Sequence, residues 1–140
     1  MNRQNKLRTI KSFIWIGVAA DALWTVALVW PPLYGLLTGR AIDNPSLTLR
    51  LAMGIGASLM AGWTVLLIWA ARAPVQRRII MLFTAFPVVA GILCVSVTRA
   101  LNDAAGTWLV FKCIFLAAAM LTGYYLSHTM AKEDADEIRH

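Results

Sequence analysis

Asp21 is the residue of this sequence best placed to do chemistry, because it is an acid inside a long apolar run. The preceding charged residue is Lys11, which at about 1.5 Å of rise per helical residue places Asp21 roughly 15 Å along a helix. A charged side chain deep in a bilayer costs on the order of 2.5–3.5 kcal/mol. Acids kept at such a cost usually face the interior of a helix bundle, where they bind a cation, carry a proton or hold helices together.

Six further residues are candidates to complete a cation, proton or ligand site with Asp21. Threonine hydroxyls offer oxygen ligands, and a proline within a helix frees the carbonyl one turn earlier because it lacks an N–H. The candidates are Thr25, Thr64, Thr84, Pro87, Thr122 and Trp63. Trp63 fits least well, since it lies opposite the glycine-bearing face of its helix. In the alternative interpretation, Asp21 is a neutral acid whose interhelical hydrogen bonds fix the bundle.

The residue inventory argues against an enzyme. The two histidines are His128, near a predicted membrane boundary, and His140 at the end, so a haem held by facing histidines is not expected. The sequence has no HExxH motif, no phosphate-binding loop and no paired intramembrane acids. Ser58 has no His or Lys at its own depth to act as a base. We therefore expect no catalytic residues, no metal site and no cofactor.

The two cysteines, Cys94 and Cys113, do not form a CxxC motif. Their distances from Arg99 and Thr107 place both in the same half of the membrane. A disulfide would require that the third and fourth helices are neighbours and that the two Cβ atoms meet. The sequence leaves open whether they do.

Four long apolar segments must position these residues. Hydrophobic residues make up 59% of the 140 residues and charged ones 14%, with mean hydropathy +0.66, whereas soluble domains carry about 25% charged residues. The segments cover about residues 12–30 or 12–37, 51–71, 79–98 and 107–130, each near the roughly 20 residues that a membrane helix needs. Helices satisfy their own backbone in lipid, and short loops make neighbours antiparallel. The predicted fold is an all-α integral membrane protein, one domain over residues 1–140 with four transmembrane helices in an up-down-up-down bundle and short terminal tails.

Basic residues are distributed unequally between the two ends of this bundle. One side carries Arg3, Lys6, Arg8, Lys11, Arg72, Arg77, Arg78, Lys132 and Arg139, and the other carries Arg40, Arg50 and Arg99. The positive-inside rule therefore places both termini in the cytoplasm, and we expect a bacterial inner (cell) membrane. The formal charge of +6 then reflects topology and attraction to anionic membrane lipids, not nucleic-acid binding. Lys112 lies within the fourth segment, about 15 Å from the depth of Asp21 by helix rise, so we expect it to extend outward.

Each predicted helix has a face of small or polar residues. Membrane helices associate through close packing and polar contacts, so small residues mark the faces that meet other helices. The first segment has such a face at Gly17, Asp21, Thr25 and Leu28. The predicted packing positions in the other segments are Gly54, Ser58 and Gly62 in the second, Gly91 in the third and Gly123 in the fourth. We expect the small faces to point into the bundle or toward a second copy of the chain.

The layout resembles that of the small multidrug-resistance exporters, which are also four-helix chains with one acid in the first helix. In this sequence that acid is Asp21 where the family has Glu, the chain is longer, and the family's aromatic and glycine pattern in the third helix is not found. The resemblance is one of architecture, and it implies transport.

Two functions of different classes follow from these observations. The first is a small transport or ligand-binding protein with Asp21 at its site, and transport would require a homodimer because four helices barely enclose a pathway. The second is a non-catalytic accessory or assembly subunit that packs its small-residue face against a larger membrane protein.

Overall fold

The computed structural model describes residues 2–39, 44–100 and 104–137, and helices account for nearly all of them. The helices are α1 (Arg3–Val29), α2 (Pro31–Thr38), α3 (Leu47–Arg72), α4 (Ile79–Phe83), α5 (Ala90–Ala100) and α6 (Ala104–Glu137), and a kinked segment, Thr84–Val89, joins α4 to α5. Within the described residues, four stretches are long and apolar enough to span a membrane. They are Arg3–Val29, Leu47–Arg72, Ile79–Thr98 and Thr107–Asp136. The predictions of an all-helical chain and of four such segments are confirmed.

The first apolar segment consists of two helices. α1 ends at Val29 because Trp30 is extended (φ −115°, ψ 96°), the conformation that a following proline favours. Pro31 and Pro32 then occupy the first turn of α2, where a missing N–H breaks no helical hydrogen bond. α2 ends before Gly39, whose left-handed backbone (φ 70°) suits glycine. The first segment was predicted to end at about residue 30 or 37. The first of these ends corresponds to the end of α1, and the second to the end of the separate helix α2.

The third apolar segment is interrupted near its middle. Phe86 leaves the helical conformation (φ −141°, ψ 110°) immediately before Pro87, because a proline ring disfavours helical backbone at the residue before it and removes one helical hydrogen bond. The chain returns to regular helix at Ala90, where α5 begins. Side chains before and after the kink therefore face different parts of the bundle.

The apolar core lies at one end of the bundle. It is formed by the first half of α1, the second half of α3, α4 with the start of the kinked segment, and the second half of α6. Its members are Ile10, Ile14, Val18, Leu67, Ala70, Ala71, Ile80, Met81, Ala85, Met120 and Met130. At the same end, an Arg3 nitrogen lies 3.1 Å from an Asp134 oxygen. The Lys6 Nζ lies 2.6 Å from a Glu133 oxygen. Exposed pairs of this kind add little stability, but they place the start of α1 beside the end of α6.

Two glycines in this core lie directly against side chains of neighbouring helices. A Cβ at Gly17 would collide with the terminal methyl group of Met120 and lie 3.5 Å from Leu67. A Cβ at Gly123 would lie 3.0 Å from the Met81 sulfur. Gly123 and Gly17, which the sequence places on the small or polar faces of their helices, are therefore both buried at contacts with other helices.

The small-residue face of α3, formed by Gly54, Ser58 and Gly62, points away from the rest of the chain. All three residues are exposed, and a Cβ at Gly54 or Gly62 would meet nothing within 4 Å outside its own helix. The expectation that this face points into the bundle is therefore wrong. Its alternative, contact with a second copy, stays a prediction.

The outer surface of the long helices is strongly apolar. Large side chains remain exposed along their length, among them Leu59 in α3 (71%), Phe86 at the kink (70%) and Tyr125 in α6 (66%). Water-soluble monomers rarely expose continuous apolar surface on this scale. The exposed surface thus agrees with the segment lengths, and both indicate an integral membrane protein.

Candidate ligand-binding site

A cavity of about 250 Å³, which we call the inner cavity, borders the apolar core. This is roughly eight times the ~30 Å³ that one water molecule occupies in the liquid. Residues of α1, α3, α5, α6 and the kinked segment line it: Ile16, Ala20, Asp21, Leu23, Trp24, Leu37 (from α2), Met60, Val88, Val89, Ile92, Leu109, Lys112, Cys113, Phe115 and Leu116. The wall is therefore largely apolar, with Asp21 and Lys112 as its charged residues.

Asp21 is buried in this wall with incomplete hydrogen bonding. The residue is 4% exposed, and its Oδ2 is shielded from solvent and has no hydrogen-bond partner among the described residues. The hydroxyl of Thr25 donates to the main-chain carbonyl of Asp21 at 2.8 Å and not to its carboxyl group. A buried polar atom without a partner costs about 1–3 kcal/mol. Such an atom beside a cavity is the expected feature of a site that completes its hydrogen bonds with a ligand.

Lys112 lies in the wall of the same cavity, on α6. Its Nζ is 5.1 Å from the centre of the Trp108 ring, one helical turn earlier. Among the described residues no carboxylate oxygen lies within 4.0 Å of this ammonium group. Lys112 therefore extends toward the start of α6 and does not pair directly with Asp21. That both residues line one cavity could not be predicted from the sequence.

A second cavity of about 440 Å³, which we call the outer cavity, adjoins the first. Trp24, Met60, Ile92 and Leu109 line both cavities and so connect them. The outer cavity continues along Leu28, Tyr34, Thr38, Gly91, Val95 and Ser96. The Trp24 ring meets the Tyr34 ring edge-on at 6.2 Å between centroids, which fixes the indole at the junction. Together the cavities form an elongated apolar site with Asp21 in the wall of its inner part.

Gly91 does not lie at a contact between helices of this chain. The sequence indicated a packing position, but the structure exposes Gly91 at the outer cavity, where an added Cβ would meet nothing within 4 Å. A side chain introduced at this position would therefore extend into free space.

The structure does not bring the predicted site residues together around Asp21. Neither cavity is lined by Thr25, Thr64, Thr84, Pro87, Thr122 or Trp63. Thr64 and Thr122 donate their hydroxyl hydrogens to carbonyls one turn earlier, at Met60 and Ala118, which is how a helical threonine commonly satisfies itself. Thr122 and Pro87 are exposed. Similar depth in the membrane was therefore insufficient to predict a shared site.

Trp63 and Thr84 instead form a contact between α3 and the kinked segment. The indole Nε1 donates to Thr84 Oγ1 at 3.1 Å, and that hydroxyl donates to the carbonyl of Ile80 at 2.8 Å. Trp63 thus faces the interior, because the glycine-bearing face opposite it is the outer one.

Removing this contact is expected to destabilise the protein modestly. Interhelical hydrogen bonds in membranes average about 0.6 kcal/mol, with a maximum near 1.7. Trp63→Phe and Thr84→Val should each lower the free energy of unfolding in detergent, and the double variant should lose less than the sum of the two. Strictly additive losses would show that the two side chains do not interact.

The remaining residues of the site were not among the predicted ones. Trp24 follows Asp21 by three residues and therefore shares its helix face, a spacing that could have indicated it. Met60 and Lys112 carry no such signal, because their positions depend on how α3 and α6 pack against α1. The cysteines do not meet in the structure, where Cys94 is exposed, Cys113 is buried in the wall of the inner cavity and both are free.

Comparisons of the chain with protein-family models, with curated proteins and with solved structures find no match. In the described part of the chain, no group of three or more His, Cys, Asp or Glu side chains is arranged to hold a metal ion. The two cavities and Asp21 are therefore the features of the molecule that bear on its function.

Proposed function

We propose that this protein binds a positively charged ligand at Asp21 and acts as a small membrane carrier or receptor for it. The observation that carries the proposal is the buried Asp21 carboxyl, with an oxygen that lacks a partner, in the wall of an apolar cavity. A cationic group would compensate this carboxylate, and the apolar walls would hold the rest of the ligand. The Trp24 indole at the junction of the cavities adds an aromatic surface of the kind that attracts cations.

The proposal includes an orientation in the membrane. We place four antiparallel spans in a bacterial inner membrane with both termini in the cytoplasm. The ion pairs between the two ends of the chain support this arrangement. Arg77, in the loop between α3 and α4, belongs to the basic residues of the proposed cytoplasmic side. Its guanidinium lies 3.5 Å from the centre of the Trp69 ring. Of the residues in the charge count, Arg40 and Arg139 lie outside the described residues.

Reporter fusions test this orientation. Fusions at His140 and within residues 72–78 should report the cytoplasm, and fusions near Asp43 and Asp103 should report the opposite side, because nine of thirteen Lys and Arg residues lie on the first side. Cytoplasmic and external reporters that are equally active at one site would contradict a single orientation.

Within this orientation the site lies away from the cytoplasm. The core occupies the half that holds both termini, whereas the outer cavity is lined by the end of α1, α2 and the beginning of α6. The proposed ligand therefore reaches Asp21 from the external side or from the surrounding lipid. A carrier would also have to open the packed half, and four helices are few for that movement, so we propose that transport requires a homodimer.

A matched pair of probes tests the cation site on the natural protein. n-Hexylamine is a cation at neutral pH, and n-hexanol has the same chain without a charge. The amine should raise the melting temperature of the detergent-solubilised protein, since a ligand at 100 times its dissociation constant adds about 2.7 kcal/mol of stability. The alcohol should have a much smaller effect. Equal shifts from both probes would mean that the cavity binds the apolar chain without using Asp21.

The outer cavity provides a further prediction. Gly91→Leu should fill it without disturbing the core, because the new side chain enters open space. The affinity for n-octylamine should fall by at least about tenfold, or 1.4 kcal/mol, and that for n-butylamine should change little. Gly62→Leu is the matched control, since Gly62 is equally open but lines neither cavity. Equal losses for the two amines would place the longer chain elsewhere.

One observation favours a different class of function. The exposed face formed by Gly54, Ser58 and Gly62 is smooth enough for close approach of another helix. An accessory subunit would use this face to pack against a larger membrane protein. Purification in a mild detergent separates the alternatives: self-association favours the carrier, and a stoichiometric foreign partner favours the accessory subunit.

A further inference from the structure

The inner cavity carries two opposite charges in its wall, and the proposed cation site uses only one of them. Asp21 is on α1 and Lys112 is on α6. Neither forms an ion pair with the other or with another described residue within 4.0 Å. The Lys112 ammonium lies 5.1 Å from the centre of the Trp108 ring. Two charged groups thus border one apolar space without direct compensation.

A ligand with a single positive charge would leave this arrangement unbalanced. Its ammonium group would compensate Asp21 but would add a second positive charge to a cavity that Lys112 already borders, and like charges repel more strongly where the dielectric constant is low. An acid group elsewhere on the same ligand would remove that repulsion and give Lys112 a partner. Charge complementarity of this kind gives binding sites their specificity.

We propose that the natural ligand is a zwitterion, with an ammonium group for Asp21 and an acid group for Lys112, joined by an apolar chain. This inference rests on the proposed function, because it assumes that Asp21 binds the ammonium group. The residues that connect the two cavities, Trp24, Met60, Ile92 and Leu109, offer the chain apolar contacts. The flexible four-carbon stem of Lys112 allows its ammonium to turn from the Trp108 ring toward an acid group.

A length series of ω-amino acids, compared with n-alkylamines of the same chain length, tests the proposal. Each ω-amino acid has the ammonium group of its matched amine and adds a carboxylate at the other end. Over the series, binding of the amino acids to the natural protein should pass through an optimum, where it exceeds that of the matched amine by at least about tenfold. The position of the optimum measures the separation of the two charged side chains.

Lys112→Met identifies the residue responsible, since methionine keeps an unbranched apolar side chain and removes the charge. This variant should lose the preference for the ω-amino acid and bind the matched n-alkylamine at least as tightly as the natural protein. Its melting temperature without ligand serves as the folding control. Should that variant fail to fold, Lys112→Gln provides the second test, because glutamine keeps a polar side chain, removes the charge and should therefore also abolish the preference.

The outcomes separate this inference from the function on which it rests. If the alkylamines bind and no ω-amino acid binds more tightly, or if Lys112→Met keeps the preference, the zwitterion is excluded and the cation site stands. If neither series binds, both proposals are overturned.

Discussion

Gly17→Leu is expected to destabilise the protein strongly, and far more than the same change at an exposed glycine. Gly17 is buried where α1 meets both α6 and α3, and even a Cβ at this position would collide with the end of Met120 and lie 3.5 Å from Leu67. Inserting atoms into a filled core typically costs 1–3 kcal/mol and occasionally more. A whole leucine side chain between two helices should reach or exceed about 3 kcal/mol by the same reasoning.

Unfolding in detergent, followed by helical circular dichroism, measures this effect. Gly62→Leu is the control, since it makes the same change at an exposed position of α3, where substitutions are usually neutral within about 0.5 kcal/mol. A Gly17→Leu variant as stable as the natural protein would contradict the packing described. The comparison also tests the homodimer, because a tight dimer through α3 would make Gly62→Leu destabilising.

The second large effect concerns ligand binding by Asp21→Asn. The amide keeps the size of the side chain and its ability to form hydrogen bonds, but it removes the negative charge. Truncating one partner of a buried charged pair commonly costs about 2–5 kcal/mol, so affinity for an alkylamine should fall by at least roughly 30-fold. Stability without ligand should change little, since the buried Oδ2 has no hydrogen-bond partner among the described residues that the amide could lose.

This pattern distinguishes the ligand site from a purely structural role. If Asp21 only fixes the bundle, Asp21→Asn should alter unfolding and leave the response to the amine unchanged. Melting curves of both proteins, with and without n-hexylamine, measure both the stability without ligand and the stabilisation by the amine.

Composition and hydropathy were sufficient to predict the helices. Membrane helices follow from a continuous apolar run and the need to satisfy the backbone, both of which are local properties. The break at Trp30 is local as well, because Pro31 and Pro32 determine it. The sequence left the end of the first segment open only because a separate apolar helix, α2, follows directly.

The inward faces could not be predicted reliably. A stripe of small residues such as Gly54, Ser58 and Gly62 indicates close contact with some helix, but not whether that helix belongs to the same chain. The small or polar face of α1 does point inward at Gly17, where an added Cβ would meet the side chains of Met120 and Leu67. Face assignment depends on which helices are neighbours, and periodicity within one helix does not contain that information.

The sequence singles out Asp21 but not the residues that line the cavity beside it. Asp21 stands out because an ionisable side chain in an apolar span costs free energy and usually has a functional or structural role. The threonines were grouped with it by depth, but Thr64 and Thr122 satisfy their hydroxyls within their own helices. Helix rise alone separates Lys112 from Asp21 along the membrane normal. It does not show that one cavity extends far enough for both charged residues to line it.

Equilibrium binding of radiolabelled n-hexylamine to the purified protein tests the central claim most directly. The natural protein should bind one amine per chain, Thr122→Val should bind equally well because Thr122 is exposed and lies outside both cavities, and Asp21→Asn should show at least roughly 30-fold weaker binding. Binding of equal affinity and stoichiometry to Asp21→Asn would contradict the assignment of Asp21 as the ligand-binding residue.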